Sequence, residues 1–142
     1  MRFKTFAATA VTAGALALAT AGPASAAPYW QTVSTNSNWS CTAYRTHPVS
    51  THVNWKLCEV VNANYDAQVV VVVQNTATVA VSITGATSSN YSSDGTCLTS
   101  TLNPGFTRGC YGPTRALPAA GSTWHQGQLI VNGVTDTITV YG

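Results

Sequence analysis

The stretch Gln68–Thr84, QVVVVVQNTATVAVSIT, constrains the fold more than any other part of this chain. From Tyr65 onward, Tyr65, Ala67, Val69, Val71 and Val73 share one parity, and Asp66, Gln68, Val70, Val72 and Gln74 the other. Successive strand side chains point to opposite faces. One face is therefore apolar throughout and belongs to a core, while the other is polar at both ends. A helix is disfavoured, because β-branched side chains are stiff at χ1 and the period is two. Val79, Val81 and Ile83 repeat the inward parity. The segment reads as two strands folded back on each other at Gln74–Thr78.

The chain begins with a leader. Arg2 and Lys4 precede an apolar, Ala-rich run, Val11–Ala21, and Ala24-Ser25-Ala26 is a small-x-small cleavage site. Residues 1–26 therefore read as a signal peptide of bacterial type, and residues 27–142 as a single β-sandwich domain. The apolar run is too short to span a bilayer stably. No second long apolar run follows, so no membrane insertion is expected after cleavage, and the protein is expected to be secreted. Removing Arg2 and Lys4 leaves four bases, Arg45, Lys56, Arg108 and Arg115, against four acids, Glu59, Asp66, Asp94 and Asp136. A formal charge near zero excludes a basic nucleic-acid footprint and polybasic attachment to anionic lipid. Ser and Thr supply about a quarter of residues 27–142, and charged residues only 7% of the chain, so the surface is rich in hydroxyls.

All four cysteines, Cys41, Cys58, Cys97 and Cys110, follow the leader. An even count in an exported domain of this size implies two disulfides, with three possible connectivities. Cys41–Cys58 and Cys97–Cys110 are favoured because each pair brackets a turn. A zinc site would need a spacing such as C-x-x-C, which is absent.

Trp39–Thr46 and Val53–Val61 are both strand-like and joined through His47–His52, while Tyr29–Val33 suggests a short strand. Gly85–Gly95 reads as a polar surface loop. Cys97–Leu102, a turn at Asn103-Pro104-Gly105 and a return over Phe106–Tyr111 read as a hairpin. Asn132-Gly133 between two strand-like runs calls for a type I′ turn. It pairs Val131 with Val134, Leu129 with Asp136 and Gly127 with Ile138 on the core face, where Asp136 is out of place. Trp124, Gln126, Gln128 and Ile130 then face Tyr141, Thr139, Thr137 and Thr135 on the other side.

No catalytic, cofactor or metal motif is present: G-x-S-x-G, H-E-x-x-H and a calcium loop are all missing. The protein is expected not to be an enzyme. His47 and His52 lack a third ligand and read as a solvated loop. His125 reads as a structural histidine facing the core beside Val140. Glu59 and Asp66 have no spacing that brings them together for glycoside chemistry. Asn38-Trp39-Ser40 and Asn90-Tyr91-Ser92 match a glycosylation sequon, which a bacterial leader makes coincidental. The aromatics are the better lead. Trp30, Trp39 and Trp55 cluster in the first third, and Trp124 and Tyr141 share an outer face. Exposed rings of this kind stack on sugars or anchor protein interfaces, so an extracellular protein or polysaccharide is the expected partner.

Val71–Thr76, Val79–Ile83, Cys97, Leu102-Asn103-Pro104-Gly105 and Cys110 resemble the immunoglobulin-like repeat domains of bacterial surface and exported proteins. Ala77 stands where that pattern has a turn glycine, and Cys41–Cys58 has no counterpart in it. The resemblance spans residues 71–142. It implies an immunoglobulin-like antiparallel β-sandwich used for display or adhesion, without enzymatic activity. A weaker likeness is to the small exported α-amylase inhibitors of filamentous bacteria, whose Trp-Arg-Tyr triplet is absent and approached only by Tyr44-Arg45. The expected function is thus a non-catalytic structural or binding role at or outside the cell envelope. Inhibition of a secreted hydrolase and carbohydrate binding are the alternatives.

Overall fold

A computed structural model describes residues 28–142; the signal-peptide reading falls on residues outside that range. Ten antiparallel strands form two sheets, and no helix occurs among the described residues. The strands are β1 (Trp39–Cys41), β2 (Arg45–His47), β3 (Ser50–Val61), β4 (Asp66–Asn75), β5 (Val81–Ser89), β6 (Gly95–Leu102), β7 (Thr107–Tyr111), β8 (Arg115–Ala116), β9 (Trp124–Val131) and β10 (Val134–Tyr141). The first sheet has the order β1-β3-β4-β7, with β2 also on β3 and β8 also on β4; the second is β10-β9-β5-β6.

The odd residues of β3 and β4 meet the second sheet. Val53, Trp55, Leu57, Val69, Val71 and Val73 pack with Val81, Ile83, Leu102, Leu129, Val131 and Ile138 into one core. Gly127 lies opposite this row because a Cβ there would fall 2.5 Å from Leu57 Cδ1 and 2.7 Å from Val71 Cγ2. The expected parity of the valines holds, but two further expectations do not. Val79 is exposed, at 64%, since β5 starts only at Val81. The even face of β4 is also buried: Val70, Val72 and Cys58 form a second cluster beneath Val33, Trp39, Val60 and Tyr111. The cover is the chain between Pro28 and Trp39. Gln31 bridges Gly109 at the β7 edge, Val33 packs on the outer face, and Trp39 enters β1 at the far edge. Tyr29–Val33 is thus not a strand but a strap, touching the sheet ladder at Gln31 alone.

Two expected hairpins are instead crossings between sheets. β4 and β5 belong to different sheets, so Thr76–Ala80 is a corner. β6 and β7 are likewise divided, and Asn103-Pro104-Gly105 is the second corner, with Gly105 at φ 78°. Asn75, 1% exposed, ties both corners together. Its side-chain amide donates to the carbonyls of Val79 and Leu102, and its side-chain oxygen accepts from Ala77 N–H. Corner geometry explains why parity carries across the turn: both strands present valines to the same core from opposite walls.

Both favoured disulfides are present. Cys41–Cys58 links directly opposed residues of β1 and β3, with Cα atoms 4.0 Å apart; Cys97–Cys110 spans the two sheets at 5.7 Å. The run Trp39–Thr46 is not one strand but two, β1 and β2. Between them the Thr42 N–H donates to Leu57 O and the Thr42 hydroxyl accepts from Leu57 N–H, so a side chain replaces a backbone carbonyl. Gly85–Gly95 is not all loop, because β5 continues to Ser89. Tyr65 is not on the core face: it has φ 60° and is exposed before β4 begins. The last hairpin has the predicted register, with Asn132 and Gly133 at φ 48° and 84°. No described helix is long and apolar enough to cross a membrane.

Candidate functional site

The two lateral edges of the sandwich are closed differently. On the β6–β7 side, Trp30 fills the gap over the Cys97–Cys110 bridge. Its indole N–H donates to Leu98 O at 3.1 Å, and its ring lies so close to Gly85 that a Cβ there would sit 2.9 Å away. On the other side, β2 faces β10. There Arg45 makes a two-point ion pair with Asp136 and also donates to Thr137 O, while the buried Trp55 indole donates to Asp136 Oδ2 at 2.8 Å. This accounts for an acid on the core face of β10. Burial alone would raise its pKa. The hydrogen bonds from Arg45 and Trp55, the Arg45 charge and the Thr137 N–H outweigh that and hold the carboxyl below its usual value of 3.8.

Further along the same side, β1 and β10 part to leave a cleft of about 270 Å³. Leu57 and Val140 form apolar walls, and Ser40, Thr42 and Thr123 bring hydroxyls. At its base are Glu59 from β3 and His125 from β9, with Nδ1 of His125 3.4 Å from Glu59 Oε2. Tyr91, in the β5–β6 connection, donates its hydroxyl to the same oxygen at 2.6 Å. Burial lowers the His125 pKa from 6.5, against an opposing pull from the Glu59 charge, so the ring is neutral at pH 7. Burial, then the hydrogen bond and charge of Glu59, push the Tyr91 hydroxyl well above 10.0.

The sequence-derived candidates scatter. Trp55 is fully buried, serves the core and Asp136, and offers no surface to a ligand, contrary to the expectation from sequence. Trp30 packs against the core and Trp39 against the outer cluster, edge-on to Tyr111 at 6.1 Å between ring centres. Trp124 and Tyr141 stand opposite each other on the outward face of the last hairpin, and Tyr141 is 79% exposed. Beside them, Gln126 donates to the Thr139 hydroxyl, and a shallow hollow of about 280 Å³ lies among Gln126, Gln128, Thr96, Ser88 and Asp94. His47 does not belong to a solvated loop. It is buried at the end of β2, its Nε2–H donating to Leu129 O at 3.1 Å and its Nδ1 accepting from Val49 N–H at 3.2 Å, which defines the tautomer. His52 is exposed and apart from this pair.

Glu59 and Asp66 do not meet, since their parities put them on opposite faces of the first sheet. The residue that joins Glu59 is His125, and sequence spacing could not have paired them. The only sequence signal was that His125 shares the inward parity of Leu129 and Val131. Among the described residues no group of three or more His, Cys, Asp or Glu comes together. The Thr42 hydroxyl is committed to Leu57 N–H and Ala43 O, and no cleft hydroxyl hydrogen-bonds His125 among the described residues. The constellation thus holds a carboxylate oriented by a phenol and a neutral imidazole. It has no nucleophile placed against a base, and Glu59 is the one Asp or Glu side chain among the described residues lining the cleft.

No protein-family model matches the chain, and no curated protein matches its sequence.

Proposed function

We propose that this is an exported, non-catalytic protein with an immunoglobulin-like sandwich and a binding role at or outside the cell envelope. The observation that carries this reading is the outward face of the β9–β10 hairpin. Tyr141 and Trp124 lie side by side at one end of it, continuing into Gln126, Gln128 and Thr139. Such a face offers ring planes for stacking and amide and hydroxyl groups for hydrogen bonding, on strands that are rigid before any ligand arrives. It suits an extended partner better than a small one, since the hollow beside it is shallow and open. Two disulfides agree with an oxidising destination.

The same face favours a polysaccharide over a protein partner, because it carries hydroxyls and amides and only one acid, Asp94, at its hollow. The test is retention on insoluble chitin, cellulose and peptidoglycan, together with fractionation of an exporting host. Wild type recovered from the medium and retained on one of these, with Tyr141→Ala and Trp124→Ala each eluting at least tenfold more readily, is the expected result. Cytoplasmic recovery would remove the reading, and indifference of binding to both substitutions would move it off this face.

A further inference from the structure

The cleft between β1 and β10 has an electrostatic feature that the outer face lacks. Glu59 is mostly buried, its side chain 19% exposed, and no lysine or arginine pairs with it among the described residues. The four bases among the described residues are occupied elsewhere. Arg45 holds Asp136, Lys56 lies over the Tyr44 ring at 4.5 Å, Arg108 lies over Phe106 at 4.8 Å, and Arg115 donates to Thr114 O at 2.8 Å. Burying a carboxylate without a counter-charge is expensive. Here Tyr91 and a neutral His125 only partly offset that cost, and the carboxylate opens onto a cleft with apolar side walls.

We propose that this cleft binds a single alkylammonium or alkylguanidinium group, with the charged head on Glu59 and the methylene stem against Leu57 and Val140, and that protonation of His125 expels it. The shape fits, because long basic side chains lay their stems on apolar surface and keep the charge at a polar end. A metal ion is a poorer fit, since the cleft offers one carboxylate and one imidazole where a site normally needs three protein ligands. Occupancy follows pH through the groups that surround Glu59. Those are His125 from β9 and Tyr91 from the β5–β6 connection; the other cleft residues beside them, Ser40, Thr42, Thr123, Val140 and Gly142, have side chains that do not titrate. Below the pKa of His125, imidazolium supplies the missing positive charge from inside the protein, and the ligand loses its advantage. The site rests on the binding reading above, as a second contact for the same extracellular role.

Titration of the purified full-chain protein with n-butylammonium, followed by the amide and His125 ring signals in NMR spectra, tests it. A capped pentapeptide with one central lysine and neutral 1-butanol serve as comparison probes. Saturable shifts confined to Ser40, Thr42, Glu59, Thr123 and His125 at pH 7.5 are expected, with affinity at least tenfold weaker at a pH where the His125 ring signals show it protonated. Glu59→Gln should weaken it tenfold or more, and His125→Gln should flatten this dependence on pH. Tighter binding of the peptide identifies a partner's side chain as the source of the cation, and tighter binding of the free amine identifies a small molecule. Butanol binding as well as butylammonium, or no saturable shift, overturns the proposal. If Glu59→Gln loses its dispersed spectrum, the butanol and pH comparisons on wild type decide alone. Failure here with polysaccharide retention intact removes only the cleft; the converse result removes only the outer face.

Discussion

At the scale of single residues, the side chains that break the pattern are those that make specific contacts. Asp136 sits on a core face because Trp55 and Arg45 meet it there. Asp136→Ala leaves an indole N–H without an acceptor in the core and is expected to cost about 2–3 kcal/mol in chemical denaturation. Arg45→Met removes a partner that is 45% exposed; solvent screens that pair, and the expected loss is about 0.5–1 kcal/mol. The titrations have a definite sign. His125 and Asp136 both have folded-state pKa values below their ordinary 6.5 and 3.8. Each therefore contributes stability that is complete above its ordinary value and is lost as pH falls through the folded one. Melting temperature measured against pH should drop in two steps, one starting below pH 6.5 and one below 3.8, and His125→Gln should abolish the first. Tyr91 acts at the other end: its raised pKa means that stability present below pH 10.0 is lost as pH rises beyond it.

At the scale of elements, the long apolar run succeeds as a central strand because both its faces find cover. Val71 lies at the middle of the inner face, fully buried. Its periodicity was legible, and so was the Asn132-Gly133 hairpin, because both depend on neighbours within a few residues. The partner of β4 was not legible. A turn at Thr76–Ala80 can return a strand to the same sheet or send it to the facing one, and Val81 and Ile83 point into the same core either way. Asn75 decides the matter through hydrogen bonds to Val79 and to Leu102, which is 27 residues away. Asn75→Ala should cost about 2 kcal/mol, since the buried Leu102 carbonyl and the part-buried Val79 carbonyl lose their donor. Gly127→Ala should cost about 1–3 kcal/mol by forcing Leu57 and Val71 from their places. Urea denaturation midpoints with unchanged m-values would check both.

At the scale of the whole molecule, closure of the sandwich distributes stability and access unevenly. Cys97 and Cys110 are fully buried beneath Trp30, whereas Cys41 is exposed at an edge. Under mild dithiothreitol without denaturant, Cys41 and Cys58 should be reduced and alkylated first, while Cys97 and Cys110 stay protected until the protein unfolds; mass mapping of labelled peptides reads this directly. Closing loops of 17 and 13 residues, each bridge is expected to contribute about 3 kcal/mol in the loop-entropy model. The side closed by Arg45 and Asp136 opens at Glu59 and His125, so scaffold and cleft share one edge. The amino-acid sequence by itself determined the all-β class, the inward parity of Val69, Val71 and Val73, the last turn and that there are two bridges, because alternation, turn chemistry and cysteine count act locally or through chain length. Only the tertiary structure decided which sheet each strand joins, that a strap covers Val70 and Val72, and that Glu59 meets His125 and Tyr91. Those outcomes depend on contacts between segments far apart in the chain, whose geometry no local pattern encodes.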